Sequence, residues 1–336
     1  MKKESIYETM QNDSMNANIS EANKNKILKN VMRFKEQKVN IMITEATGCG
    51  KSSTINAMFD TEVAKIGVGV DPETMEIKKY ELDNLVLWDT PGLGDDKKAD
   101  NGHAKNIIKK LSEVVENGDA LIGLVLVILD SCTRDLGASY ELINSIIIPN
   151  FGKDKENRIL VAINQADMAL KRRNWDYDKN GPNQQLVNFL EGKVRSVRDR
   201  VCEATGIRIE PIYYSMGYKE EGGEQGRPYN LSNLLYYIVK AAPSQKRVVY
   251  ANNINEDAGM WKDDDELLDY DEETRKSIFK FITKGASKGA DISGAISGIL
   301  GNVGETIDCG IRTVVCGVIG FIGGLFGEEV HYEQII

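Results

Sequence analysis

The sequence predicts a three-layer α/β/α domain around a mostly parallel sheet, with a Gly-rich apolar helical segment appended at its C-terminal end. Three observations predict it. Short apolar strand candidates alternate with helical patterns between Val39 and Ala241, as in a parallel sheet covered on both faces. A glycine-punctuated loop, TEATGCGKSS at 44–53, joins the first strand to the first helix. Beyond Ala242 the alternation stops and the composition changes.

In chain order, residues 1–37 form a polar, Asn-rich and disordered start followed by a helix. That helix has Ile27, Leu28, Val31, Met32 and Phe34 at helical spacing and Ser20 as N-cap. The α/β domain covers 38–245. Its strands are expected at Val39–Thr44, Ile77–Leu82, Leu85–Trp88, Leu121–Leu129, Arg158–Asn164 and Ile209–Tyr214. Its helices are expected at Lys51–Phe59, Ala104–Val115, Leu136–Ile147, Gln184–Ala204 and Leu231–Ala241. Residues 246–275 read as a solvated acidic linker or an acidic surface segment, because Glu256–Glu273 holds ten acids against Lys262 alone. Residues 276–336 are the Gly-rich tail.

The net charge of −9 argues against a nucleic-acid binder, which needs a basic face. The five cysteines include no CxxC pair and there are two histidines, so a zinc site is not expected. Scattered cysteines suit a reducing compartment. MKKESIYETMQND has no apolar core after its lysines and is not a secretory signal. The expected location is the cytoplasm, with peripheral membrane contact left open.

The loop TGCGKSS follows an apolar strand and opens a helix, which is the setting of a phosphate-binding P-loop. The expected fold is therefore a P-loop NTPase G domain. Thr47, Gly48, Cys49, Gly50, Lys51, Ser52 and Ser53 would form the cradle. Inward backbone N–H groups and a helix N-terminus bind phosphate oxygens there. Lys51 would reach the β- and γ-phosphates and the Ser52 hydroxyl would ligate Mg²⁺. In the full pattern GxxxxGK[ST] the first glycine falls on Glu45. A carboxylate near a triphosphate is unfavourable, so either it points away or binding is weakened. Glu45→Gly is expected to bind nucleotide at least as tightly.

LVLWDTPGLGDD supplies Asp89, at a strand end, to hold Mg²⁺ through water. Gly92 follows it, and its N–H would contact the γ-phosphate and move when that group leaves. Between these motifs, GVGVDPETMEIKKYEL is placed for a mobile loop, and Thr74 is its candidate ligand for Mg²⁺ and the γ-phosphate. VAINQAD ends a strand with Asn164, which would brace the loops and the base, and Asp167, which would accept from N1–H and N2–H₂ of guanine. Adenine lacks that donor pair, so the aspartate selects the purine. YYSMG supplies Ser215 to support Asp167, and the Met216 N–H for guanine O6.

The ordered set ATGCGKSS, DPET, DTPG, NQAD and YSMG resembles the Era/TrmE/septin-like branch of the P-loop GTPases. It looks closest to bacterial, often prophage-borne, GTPases with a 50S-ribosome-binding-GTPase-type domain. The resemblance implies a GTPase using GTP, GDP and Mg²⁺. In these families a lysine usually stacks on the base where Gln165 stands. A water-orienting glutamine in Ras-like members falls here on Leu93, which has no hydrogen-bonding group. Slow hydrolysis, with help from a partner, a dimer mate or another loop, is the expectation. Gly48 stands where some relatives use a potassium-binding asparagine, so that activation is not expected. Arg134, in SCTRD, is a candidate helper, although a plain surface arginine is the more ordinary reading. A non-hydrolysing GTP-binding scaffold and a membrane-acting, dynamin-like protein are the rival functions.

Residues 281–327 place small residues at spacing four, as in Gly285/Gly289, Gly294/Gly298 and Gly320/Gly324, which allows close helix approach. The uncharged run Thr313–Gly327 is shorter than the ~18–20 residues that span a bilayer. A hairpin packed on the G domain, a membrane contact and a homo-oligomer contact all remain open for it.

Overall fold

The computed structural model describes residues 8, 11–12, 15, 21–45, 48–59, 77–92, 97–134, 136–152, 154–217, 226–243, 246–255, 257–274 and 276–277. Thr47, Thr74, Leu93 and the whole of 281–327 lie outside them, as does most of the polar start. The chain divides into two compact units. One is Val39–Ala242 with Asn253–Tyr270; the other takes in the chain before Val39, Pro243–Asn252 and the chain from Asp271.

The larger unit is built on six strands. They are β1 (Val39–Glu45), β2 (Lys78–Leu82), β3 (Leu85–Asp89), β4 (Leu124–Asp130), β5 (Ile159–Asn164) and β8 (Ile212–Tyr213), in the order β2-β3-β1-β4-β5-β8. All neighbours are parallel except β2, which runs antiparallel to β3 at the edge. The four central strands are apolar because both their faces are covered. Met42, Val125, Val127, Leu129, Val161 and Ile163 point to one face. There they meet α3 (Lys97–Leu111), α5 (Gln184–Thr205) and α4, which runs from Gly137 through a π-helical stretch, Leu142–Ile147, to Asn150. The alternate residues Ile41, Ile43, Leu126 and Ile128 are as deeply buried and face the other way. On that side lie α2 (Lys51–Phe59), packed on β1, and α6 (Leu231–Ala241), packed on β5.

Some elements differ from expectation. Helix α3 ends at Leu111, because Asn117-Gly118 turns the chain and pairs Val114 with Ala120. A two-stranded hairpin, β6 (Trp175–Asp176) and β7 (Gly181–Pro182), precedes α5; its strands are too short to show periodicity. The acidic stretch, expected as a solvated linker or an acidic surface segment, is a surface segment hydrogen-bonded into the G domain. Asp264 accepts from Ser232 Oγ at 2.8 Å, and Asp265 from Asn230 and Asn233 at 3.2 and 3.1 Å. These donors stand at the start of α6, where the helix dipole favours carboxylates. Upstream, Asn255 donates its N–H to the Met58 carbonyl and Nδ2 to that of Ala57. It thereby satisfies carbonyls that the last turn of α2 leaves open.

The other unit contributes α1 (Glu21–Glu36) and the chain around Arg247, whose guanidinium donates to Ser277 Oγ at 2.7 Å. Among the described residues no helix is long and apolar enough to cross a membrane.

Candidate functional site

The site lies at the C-terminal ends of β1, β3, β4 and β5, where an open parallel sheet places its ligand. Gly48 (φ +83°) and Gly50 (φ +89°) are both left-handed, which turns the loop into the first turn of α2. A Cβ added at Gly50 would stand 2.5 Å from Asn164 Nδ2, so only glycine fits.

Lys51 opens α2 and is buried, at 8% exposure. Its ammonium pairs with Asp89 Oδ1 at 2.9 Å and lies 3.5 Å from Glu45 Oε1. The backbone N–H of Lys51 donates to Glu45 Oε2 at 3.1 Å. Burial by itself would pull the ammonium down, but the two carboxylates outweigh it and hold Lys51 above the ordinary lysine value. Burial is also the larger influence on Glu45. It pushes that carboxyl above the usual range, although Lys51 pulls the other way. Ser52 and Ser53 are half-buried in the same turn, and Gly92 is half-buried beyond Asp89. The Cys49 thiol is pushed up to about 12 by burial and by the charges of Glu45 and Asp130, so it is no nucleophile at neutral pH.

The base side is joined to this cradle. Asn164 Nδ2 donates to the Cys49 carbonyl at 2.8 Å, and Gln165 Nε2 to that of Gly48 at 3.4 Å. Asn164 Oδ1 is buried with no hydrogen-bond partner. Buried acceptors are ordinarily satisfied, so this one fits a ligand that brings its own donor. Asp167 is buried and accepts a short hydrogen bond from Ser215 Oγ, which itself accepts from the Gly217 N–H at 3.0 Å. Met216 is buried beside Ser215. The structure thus brings together every described residue expected at the base.

Three supports were not legible in the motifs. Ser131 Oγ donates to the Gln165 carbonyl at 2.5 Å. Lys193, from α5, clamps the loop after β4 by donating to the carbonyls of Asp130, Ser131 and Thr133 at 2.9, 2.6 and 2.7 Å. That loop presents Arg134 to solvent. Third, the fully buried Tyr214 places its hydroxyl 2.8 Å from Thr54 Oγ1, which donates in turn to the Gly50 carbonyl. Tyr214→Phe is expected to cost about 1 kcal/mol, read as a Tm lower by about 2–4 °C in thermal unfolding.

The fold and the site together define a GTP-binding domain of the P-loop class. Residues 39–203 match the AIG1 family. Over 103 residues the chain is 34% identical to translocase of chloroplast 125, chloroplastic, of Physcomitrium patens. That match takes in 29% of this chain and 9% of the relative, so the chain spans less than a tenth of that protein's length. Among solved structures, Toc33 from Arabidopsis thaliana in complex with Mg²⁺ and GMPPNP is similar at 15% identity and TM-score 0.41, covering 74% of this chain and 98% of that one. Era from Aquifex aeolicus bound to a GDP complex gives 19% and 0.38, covering 62% and 58%. Likeness at this level carries nothing about activity. The motifs resemble the Era/TrmE/septin-like branch, whereas the family matched in sequence is AIG1.

Proposed function

We propose that this chain is a slow GTPase switch or assembly regulator, which binds GTP and GDP with Mg²⁺ and hydrolyses GTP to GDP. The observation that carries the reading is the pairing of Asp167 with Ser215, tied through Asn164 to the P-loop carbonyl of Cys49. A purine selector and a phosphate cradle would thereby adjoin in one pocket. The Lys51 amide and ammonium would hold the β- and γ-phosphates, and Asp167 would accept from the guanine edge. Ser52, Asp89 and, from the loop that follows, Thr74 would hold Mg²⁺, whose chemistry is to neutralise charge on the phosphate oxygens. Gly92 would sense the γ-phosphate through its N–H.

Single-turnover hydrolysis of labelled GTP tests the reading. The expected rate is on the order of 10⁻⁴ to 10⁻³ per second, as for a Ras-type domain without a helper. Bound GTP that releases no phosphate over many hours would instead support a non-hydrolysing scaffold, the reading that Leu93 and Glu45 favour. A rate that rises with protein concentration and falls in Arg134→Ala would support a homodimer in which that exposed arginine assists.

A cytoplasmic location, which scattered cysteines without a CxxC pair suit, belongs to the same proposal. Membrane contact through 281–327, and kinship with the Era/TrmE/septin-like branch, belong to the same proposal. Flotation with liposomes tests the contact, comparing the full chain with one ended after Ser277. Ending it near Ala242 would strip Asn255 from α2 and Asp264 from α6.

A further inference from the structure

Glu45 stands at the last position of β1, where its backbone is paired with β4 opposite Ile128. The main chain is therefore held by the sheet, and the side chain can relocate only by rotating. At 7% exposure it points into the P-loop, not away from it. Its two oxygens engage two phosphate-binding groups: Oε2 takes the Lys51 N–H at 3.1 Å, and Oε1 lies 3.5 Å from Nζ. A carboxylate so placed does to the helix N-terminus what a phosphate oxygen would do. Among the described residues, the charged and titratable groups around it are Lys51 on α2, Asp89 on β3, Cys49 in the loop and Tyr214 after β8. Lys51 is the only cation among them, and it is also paired with Asp89 at 2.9 Å.

Resting on the nucleotide reading above, we propose that the Glu45 carboxylate is a resident anion occupying the β-phosphate position of the cradle, so that a guanine nucleotide binds its polyphosphate only by expelling it. The consequence is selective. Ligands with a β-phosphate must compete with Glu45, because the Lys51 groups serve the β- and γ-phosphates. A nucleoside monophosphate, held by its base and α-phosphate, need not compete. Glu45 therefore raises the nucleotide concentration at which the switch engages while leaving the choice of base to Asp167.

Calorimetric titration of GDP and GMP in Mg²⁺ into the full-length chain, Glu45→Gln and Glu45→Gly tests this. Glu45→Gln removes the charge at constant shape, and Glu45→Gly removes the side chain. Both are expected to bind GDP about tenfold tighter or more, since a like charge is removed from a low-dielectric site. GMP affinity is expected to stay within about twofold, because the base contacts are untouched. Equal GDP affinity in all three chains, or an equal gain for GMP, overturns the proposal and leaves the nucleotide reading standing. If none of the three chains binds GDP, the nucleotide reading falls, and this inference with it. Ligand-free thermal unfolding of each variant verifies that the fold is retained.

Discussion

Asp167→Asn is expected to turn the pocket from guanine to xanthine nucleotides, lowering GTP affinity by about two orders of magnitude or more. Asp167 is buried, follows β5 by a tight turn, and is oriented by the Ser215 hydroxyl, which the Gly217 N–H holds in turn. A carboxylate so held is an acceptor only, and it matches the two N–H donors on the guanine edge. Asparagine is isosteric but presents one donor, so the amine of guanine would face an N–H group with no acceptor. Xanthine carries a carbonyl oxygen in place of that amine and matches the new donor. A site built around buried hydrogen bonds discriminates strongly, because a mismatch leaves both partners unpaired. Competition calorimetry with GTP and XTP reads the exchange. An unchanged preference for GTP would remove Asp167 from the base site.

Lys51→Met is the change with the largest expected effect on the protein without ligand. It deletes the cation between Asp89 and Glu45, at 2.9 and 3.5 Å, in a place that is almost wholly buried. Leaving buried carboxylates without their partner costs about 3–5 kcal/mol, and GDP and GTP binding is expected to fall below detection. The loss should depend on pH. Burial already raises the Glu45 carboxyl with Lys51 present; without Lys51 it rises further above its unfolded value. The folded state then binds more protons than the unfolded state between those two values, so stability falls as pH rises through that window. In urea unfolding, the gap between Lys51→Met and the parent should be smaller at pH 5 than at pH 7.5. Adding Glu45→Gln to Lys51→Met should restore part of the loss. A gap that does not change with pH would place Glu45 outside the ion pair.

Much of this architecture was legible because its signals are local. The mostly apolar, wholly buried runs of β1 and β5 are what strands covered on both faces require, and they occur where expected, while β4 begins at Leu124, three residues after the expected start. Helix α5 begins at Gln184 because Asn183 caps it, accepting from the N–H groups of Gln185 and Leu186. Strand β8 is harder to read. It pairs through Ile212 and Tyr213 alone, so the apolar run around it marks burial more than extended structure. The clamp by Lys193 is invisible in sequence, because sixty or more residues separate the amine from the carbonyls it binds.

The sequence by itself determined the class of fold, the order of the phosphate and base motifs, and the residues proposed to select guanine. Each of those rests on spacing within a few residues of a strand end. Only the tertiary structure decided that Asp264 and Asp265 bind the side chains at the start of α6, and that Glu45 turns into the cradle. The physical reason is the same in both cases. Where a carboxylate settles depends on which donors the fold delivers to it, and these come from helix starts and strand ends that meet only when the chain is packed.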